Sequence, residues 1–313
     1  MDNTYDRFLG SWWGGIIAQS SIAQSVSSLD RNLFTQYWLK RRSQIGEMLL
    51  RSQPNNLAQL IEQSTNASKE STKSIKYNCN ILSLLPLIIF DGERQNLVKD
   101  SLNKRNLGSE NLVKDSYASP NVLLWSYLLI TVLNHRTDLL RLKLTREAIF
   151  DRTYVSQSPV AKKLKLVETA IERGITFEEL KIKLSAETGL QSTAIALSWY
   201  CFVSTSYDPK LSIQRAALVQ PNLAWLTTAL TGTLSGAYNG MARISVNWRI
   251  DSKLSPEESR EHNLFIKLYK LWLGIYAIDS DVELWNGGIY AIAPARSIQP
   301  RPNLRIISQL SLY

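Results

Sequence analysis

Apolar side chains recur at helical spacing through most of the second half of the chain. Val160, Leu164, Val167 and Ile171 follow Ser158-Pro159 and precede Gly174. A serine before a proline supplies an N-cap and a pre-set first helical residue, and glycine tolerates the left-handed backbone at a helix end. A helix is therefore predicted between Ser158 and Gly174. Thr176 with Glu179, and Ser255 with Glu258 behind Pro256, place a carboxylate three residues after a hydroxyl, the spacing of a reciprocal capping box. Two more helices are predicted to start there. Ser192 to Ser206 and Ala224 to Gly240 combine alanine, large apolar residues and small residues with almost no charge, so both are predicted to lie deep in the protein. Ile81 to Phe90, interrupted by Pro86, and Val122 to Leu133 are apolar but shorter than the ~20 residues of a membrane-spanning helix, and read as core helices.

Strand patterning is scarce. Met241 to Ile250 alternates, and the tail from Gly288 to Tyr313 carries Pro294, Pro300 and Pro302, which forbid a long helix. The predicted class is all-α with minor extended segments, in one domain spanning residues 1–313. Two stretches interrupt the packing logic. Ser52 to Lys76 is dominated by polar residues, with a short helix predicted at Leu57 to Ile61. Within 91–119 the hexapeptide Asn96-Leu97-Val98-Lys99-Asp100-Ser101 recurs at Asn111-Leu112-Val113-Lys114-Asp115-Ser116, 15 residues on. Two short copies do not make a solenoid, which needs three or more packed units. The segment reads as a duplicated, mobile surface insertion, and 288–313 as an extended C-terminal tail.

The 313 residues include 44% apolar and 20% charged side chains, enough apolar material for a substantial core. Thirty-six Lys and Arg against 27 Asp and Glu leave a net charge of +9. The surplus concentrates at Lys40-Arg41-Arg42, Arg141 to Arg146, Lys162-Lys163-Leu164-Lys165 and the tail arginines, and reads as solvated helix faces. Nucleic acid is a possible partner of such a surface, but no zinc-finger, RRM or basic-zipper signature accompanies the charge. Cys79 and Cys201 lie 122 positions apart with no CxxC, which offers neither a disulfide framework nor a cysteine zinc cluster. The N-terminus lacks the basic-then-apolar layout of a signal peptide, so a cytoplasmic location is expected.

Candidate chemistry is sparse. His135 and His262 have no His or Cys partner at metal-ligand spacing, and Gly10 to Gly15 lacks both the GxGxxG and the phosphate-loop spacings. Gly232, Gly236 and Gly240 fall four apart and trace one narrow helix face along which a second helix can approach closely.

Three blocks resemble one known family. Phe8-Leu9-Gly10-Ser11-Trp12-Trp13-Gly14-Gly15-Ile16-Ile17-Ala18-Gln19-Ser20 is similar to the opening helix of the ADP-ribosylglycohydrolases, in which a Gly-x3-Gly stretch runs into Gly-Asp-Ala. Thr231 to Gly240 resembles the family's late AGALAGAYYG helix, and Ala194 to Tyr207 resembles the helix that leads to it. The resemblance implies a compact multi-helix domain. It also implies, in the hydrolases, a pair of magnesium or manganese ions held by an early Thr/Ser-Asp-Asp-Thr motif and a late Gly-Gly-Asp-x-Asp-Thr motif, acting on a linked ADP-ribosyl group. Hard divalent ions prefer anionic oxygen, so this chemistry needs carboxylates.

This chain departs from the pattern at those positions. Counting back from Gly232, the late motif falls on Pro221 to Leu226, where Leu223 and Trp225 replace both acids. The Gly-Asp of the first helix becomes Ala18-Gln19. Tyr77-Asn78-Cys79-Asn80 reads either as the early motif without its acids or as the family's Asn-Gly-Ala-Ala-Met-Arg-x-x-Pro block, matched by Asn78 and Pro86. The resemblance thus implies a degenerate pocket comprising Gln19, Asn78, Asn80, Leu223 and Trp225, with no catalytic residue, metal ligand or cofactor. The expected function is a non-catalytic binding or scaffold module for a protein or an ADP-ribose-like ligand. The alternatives are an active ADP-ribosyl hydrolase with an altered or metal-free site, and a basic module for proteins or nucleic acid.

Overall fold

A computed structural model describes residues 4–21, 38–50 except 41 and 48, 80–91, 120–134, 153–185, 189–251 and 256–272. Asn78, Cys79, the 57–61 helix, the insertion after residue 91, the cluster from Arg141 to Arg146 and the 288–313 tail lie outside the described residues. Among the described residues the fold is all-α, without strands. In chain order the helices are α1 (Thr4–Ser21), α2 (Asn80–Ser83), α3 (Leu85–Asp91), α4 (Pro120–Asn134), α5 (Thr153–Ser156), α6 (Pro159–Arg173), α7 (Phe177–Ser185), α8 (Leu190–Val203), α9 (Pro209–Ala217), α10 (Pro221–Asn239), α11 (Val246–Asp251) and α12 (Pro256–Trp272). A 3₁₀ turn, Met241–Arg243, joins α10 to the segment before α11, and the described residues of 38–50 are helical.

Helix punctuation follows the sequence closely around α6. Ser158 Oγ accepts from the Ala161 N–H, Pro159 opens the helix, and Gly174 closes it at φ 65°. The α7 cap forms only by half. Thr176 Oγ1 accepts from the Glu179 N–H at 3.4 Å, but the Glu179 carboxylate turns to Lys183 at 2.7 Å instead of reaching back. A lysine four residues on offers a charged donor, which a neutral backbone amide does not match. Pro86 falls at the second residue of α3, and the helix breaks at Leu84, which separates α2 from α3.

The expected extended segment from Met241 to Ile250 is instead a 3₁₀ turn followed by α11. Ile244 is buried and Trp248 packs on the core, while Val246 is exposed. Residues four apart share a face in a helix as well as in a strand, so alternation over so short a run does not distinguish the two. A tertiary contact meets the turn from Asp6, whose carboxylate accepts from the Ala242 N–H.

Helix α10 is central. Fourteen of its nineteen residues are buried, and it packs against α1, α4, α8 and α9. The glycine stripe predicts a close helix approach, and the helix that makes it is α1. A Cβ on Gly10 would meet the Gly240 carbonyl carbon at 2.8 Å, and one on Gly14 would meet the Gly232 carbonyl carbon at 2.9 Å. Backbone lies against backbone here, which any larger residue would prevent. The pairing of Gly10 with Gly236 and of Gly14 with Gly232 makes the two helices antiparallel.

Candidate functional site

Hydrogen bonds between helices orient the remaining bundle. Arg7 donates from Nε to the Ala237 carbonyl at 2.8 Å and from Nη2 to the Val132 carbonyl at 2.5 Å, which binds the last turns of α10 and α4 together. Burial lowers the guanidinium pKa of Arg7, with Tyr238 acting in the opposite direction. Phe202 meets Tyr238 edge-on at 5.8 Å, and Asn239 donates to the Ser206 carbonyl at 2.7 Å, so α8 also ends beside the end of α10. At the opposite end Asn121 donates to Gln191 at 2.9 Å, joining the first turns of α4 and α8. Helices α4, α8 and α10 therefore run parallel, and their N-termini share one end of the bundle with the C-terminus of the antiparallel α1.

That end carries three of the candidate pocket residues. Gln19 is buried in the last turn of α1, Leu223 is buried in the first turn of α10, and Trp225 is partly buried against the core. Gln19 Oε1 accepts a 3.0 Å bond from Trp38 Nε1. Asn80 opens α2. The N-termini of α4, α8 and α10 lie at this end together with the C-terminus of α1, whose partial charge opposes theirs. Asn121, Gln191 and Gln220 at those termini are neutral amides.

The described members of the pocket do not fit a pair of hard divalent ions. Leu223 is 3% exposed and belongs to the apolar core, Trp225 offers only an N–H donor, and Gln19 directs a neutral amide oxygen at an indole. Among the described residues, no three His, Cys, Asp or Glu side chains gather as a metal-holding group.

Composition concealed a second polar cluster. Arg42, read from sequence as part of a solvated basic run, is fully buried between α1 and α12. Its Nε and Nη2 donate to Glu261 Oε2 at 2.8 and 2.6 Å, and Nη1 donates to the Trp12 carbonyl at 2.8 Å. The guanidinium lies 4.3 Å from the Trp12 ring centroid and 5.0 Å from that of Trp38, and Ser43 donates to the other oxygen of Glu261. Lys163 is likewise interior, with Nζ 2.6 Å from Thr193 Oγ1. Both cations depart from the surface reading because nearby acceptors satisfy them, and local charge density carries no information about partners distant in sequence. Trp38 and Ile45, four residues before and three after Arg42, are buried on the same helix face and were the local hint.

No family model, curated protein or solved structure matches this chain. No described helix is long and apolar enough to cross a membrane.

Proposed function

We propose that this chain is a non-hydrolysing relative of the ADP-ribosylglycohydrolases, a helical module that binds a protein or an ADP-ribose-like ligand at the end of the bundle where α4, α8 and α10 begin. The observation that carries the reading is the state of Gln19. It stands where the resembling hydrolases place the aspartate of their first helix, and its amide oxygen is engaged by the Trp38 indole. The tight α1–α10 contact supports the resemblance, because the two most similar blocks are the ones that pack together.

Calorimetric titration of the full chain with ADP-ribose, with and without magnesium, tests the reading together with an assay for ADP-ribose released from a modified protein. Metal-independent binding without release is the expected result. A flat titration would remove ADP-ribose as the ligand of this end of the bundle. Magnesium-dependent release of ADP-ribose would overturn the proposal.

A further inference from the structure

Helix α7 buries Leu180 and Leu184 and turns Glu178, Glu179, Ile182 and Lys183 outward. At 73%, Ile182 is the most exposed large apolar side chain among the described residues. Lys181 joins the helix to the end of α9 by donating to the Leu218 carbonyl at 3.2 Å, and Leu218 is 68% exposed. Two neighbouring elements thus leave large aliphatic groups in water, at a cost that covering them removes.

The charges beside them are ordered. Glu178 and Glu179 occupy the first turn of α7, and Lys181 and Lys183 follow, each 2.7 Å from its own acid. Around the start of α9, Asp208 and Lys210 add one charge of each sign, and Arg215 turns to Ser204 Oγ at 2.6 Å. The face is close to neutral although the chain carries +9. A lipid surface or a nucleic acid, uniformly anionic, gains little from such a balance. A second copy of α7 running antiparallel gains from it at both ends. Glu179 of each copy then comes beside Lys183 of the other, about a two-fold axis close to Ile182. A parallel copy would set like charges together, and antiparallel helix dipoles also attract.

We propose that this chain self-associates through a two-fold contact centred on Ile182, in which α7 packs antiparallel against α7 of a second copy and Leu218 widens the apolar patch. The aliphatic groups supply the association, and the charges fix its direction. So small a patch makes a weak, reversible dimer rather than an obligate one.

Sedimentation equilibrium of the full chain tests this at about 0.15 M salt, where repulsion between the two net charges is screened beyond about 8 Å. Reversible dimerisation at concentrations up to about 1 mM is the expected result for the wild type. Ile182→Asp should weaken it about 100-fold, because each copy loses its central apolar group, with circular dichroism unchanged because the site is exposed. Glu179→Lys and Lys183→Glu should each weaken it, yet a mixture of the two should dimerise more strongly than either alone. Net charge by itself places the mixture between the two single variants, so only pairing across the axis produces that order. Lys162→Glu, on the exposed face of α6, changes the net charge as much as Lys183→Glu and should leave dimerisation nearly unchanged. A wild type still monomeric at about 1 mM, dimerisation indifferent to Ile182→Asp, or a mixture falling between the single variants overturns the proposal.

Discussion

Replacing Gly14 by alanine adds one methyl group where two helix backbones touch. The new Cβ would lie 2.9 Å from the Gly232 carbonyl carbon, closer still to its oxygen, and 3.5 Å from Gly236 Cα. Carbon atoms pack best about 3.5–4.0 Å apart, so α1 and α10 must separate by roughly 1 Å. Neither obstacle is a flexible side chain that can swing aside. Overpacking in a core costs about 1–3 kcal/mol, and a rigid backbone obstacle puts this site at the upper end. Alanine recovers about 1 kcal/mol of helix propensity. The net expectation is a loss of about 2 kcal/mol. Urea unfolding, with an unchanged dependence on denaturant concentration, measures it. A paired test sharpens the result: Gly10→Ala/Gly14→Ala should cost less than the two single changes added, because one separation of the helices accommodates both methyl groups. A neutral or stabilising Gly14→Ala would refute the close approach and, with it, the antiparallel α1–α10 pairing.

Three further outcomes follow from the same contacts. Trp225 is partly rather than fully buried, so Trp225→Ala should cost about 1–3 kcal/mol, less than a full aromatic truncation, and produce no ADP-ribose release; thermal unfolding and a turnover assay check both parts. Burial pushes the Cys201 thiol up from its ordinary pKa, so in a Cys79→Ala background alkylation should proceed only as fast as the protein opens. Because the unfolded thiol loses its proton first, Cys201 should lower stability as pH rises above about 8.5, a trend that Cys201→Ala removes. Ser158→Ala removes both the side-chain cap of α6 and the bond that Ser158 Oγ donates to the Val155 carbonyl, and should cost about 1–2 kcal/mol by urea unfolding, whereas Ser158→Asp should not restore it, because a buried carboxylate can accept from the Ala161 N–H but has no proton for the Val155 carbonyl.

Local physics made much of the helical framework legible. Ser158, Pro159 and Gly174 act within one or two turns of themselves, so their consequences for α6 need no knowledge of the rest of the chain. Uncharged runs likewise reveal that α8 and α10 are interior, because no other place accommodates so much apolar surface. The glycines at 232, 236 and 240 announced a close helix contact, but only the structure identified α1 as the partner. The candidate pocket was legible only as a substitution pattern. That Leu223 is core, that Trp225 is half in and half out, and that Gln19 holds an indole depended on neighbours the pattern does not name.

Tertiary structure alone decided the remainder. Arg42 and Glu261 are 219 residues apart, and although each lies on a helix face with buried apolar neighbours, nothing near either one names the other as its partner. Asp6 bonds a 3₁₀ turn at Met241–Arg243, where alternation had suggested an extended segment. The shared orientation of α4, α8 and α10 rests on bonds from Arg7, Asn121 and Asn239 across as many as 230 residues. Caps and periodicity are satisfied by residues nearby in the chain, so a sequence displays them. A buried charge or a helix direction is settled by whichever distant group satisfies it, and that group becomes its neighbour only when the chain has folded.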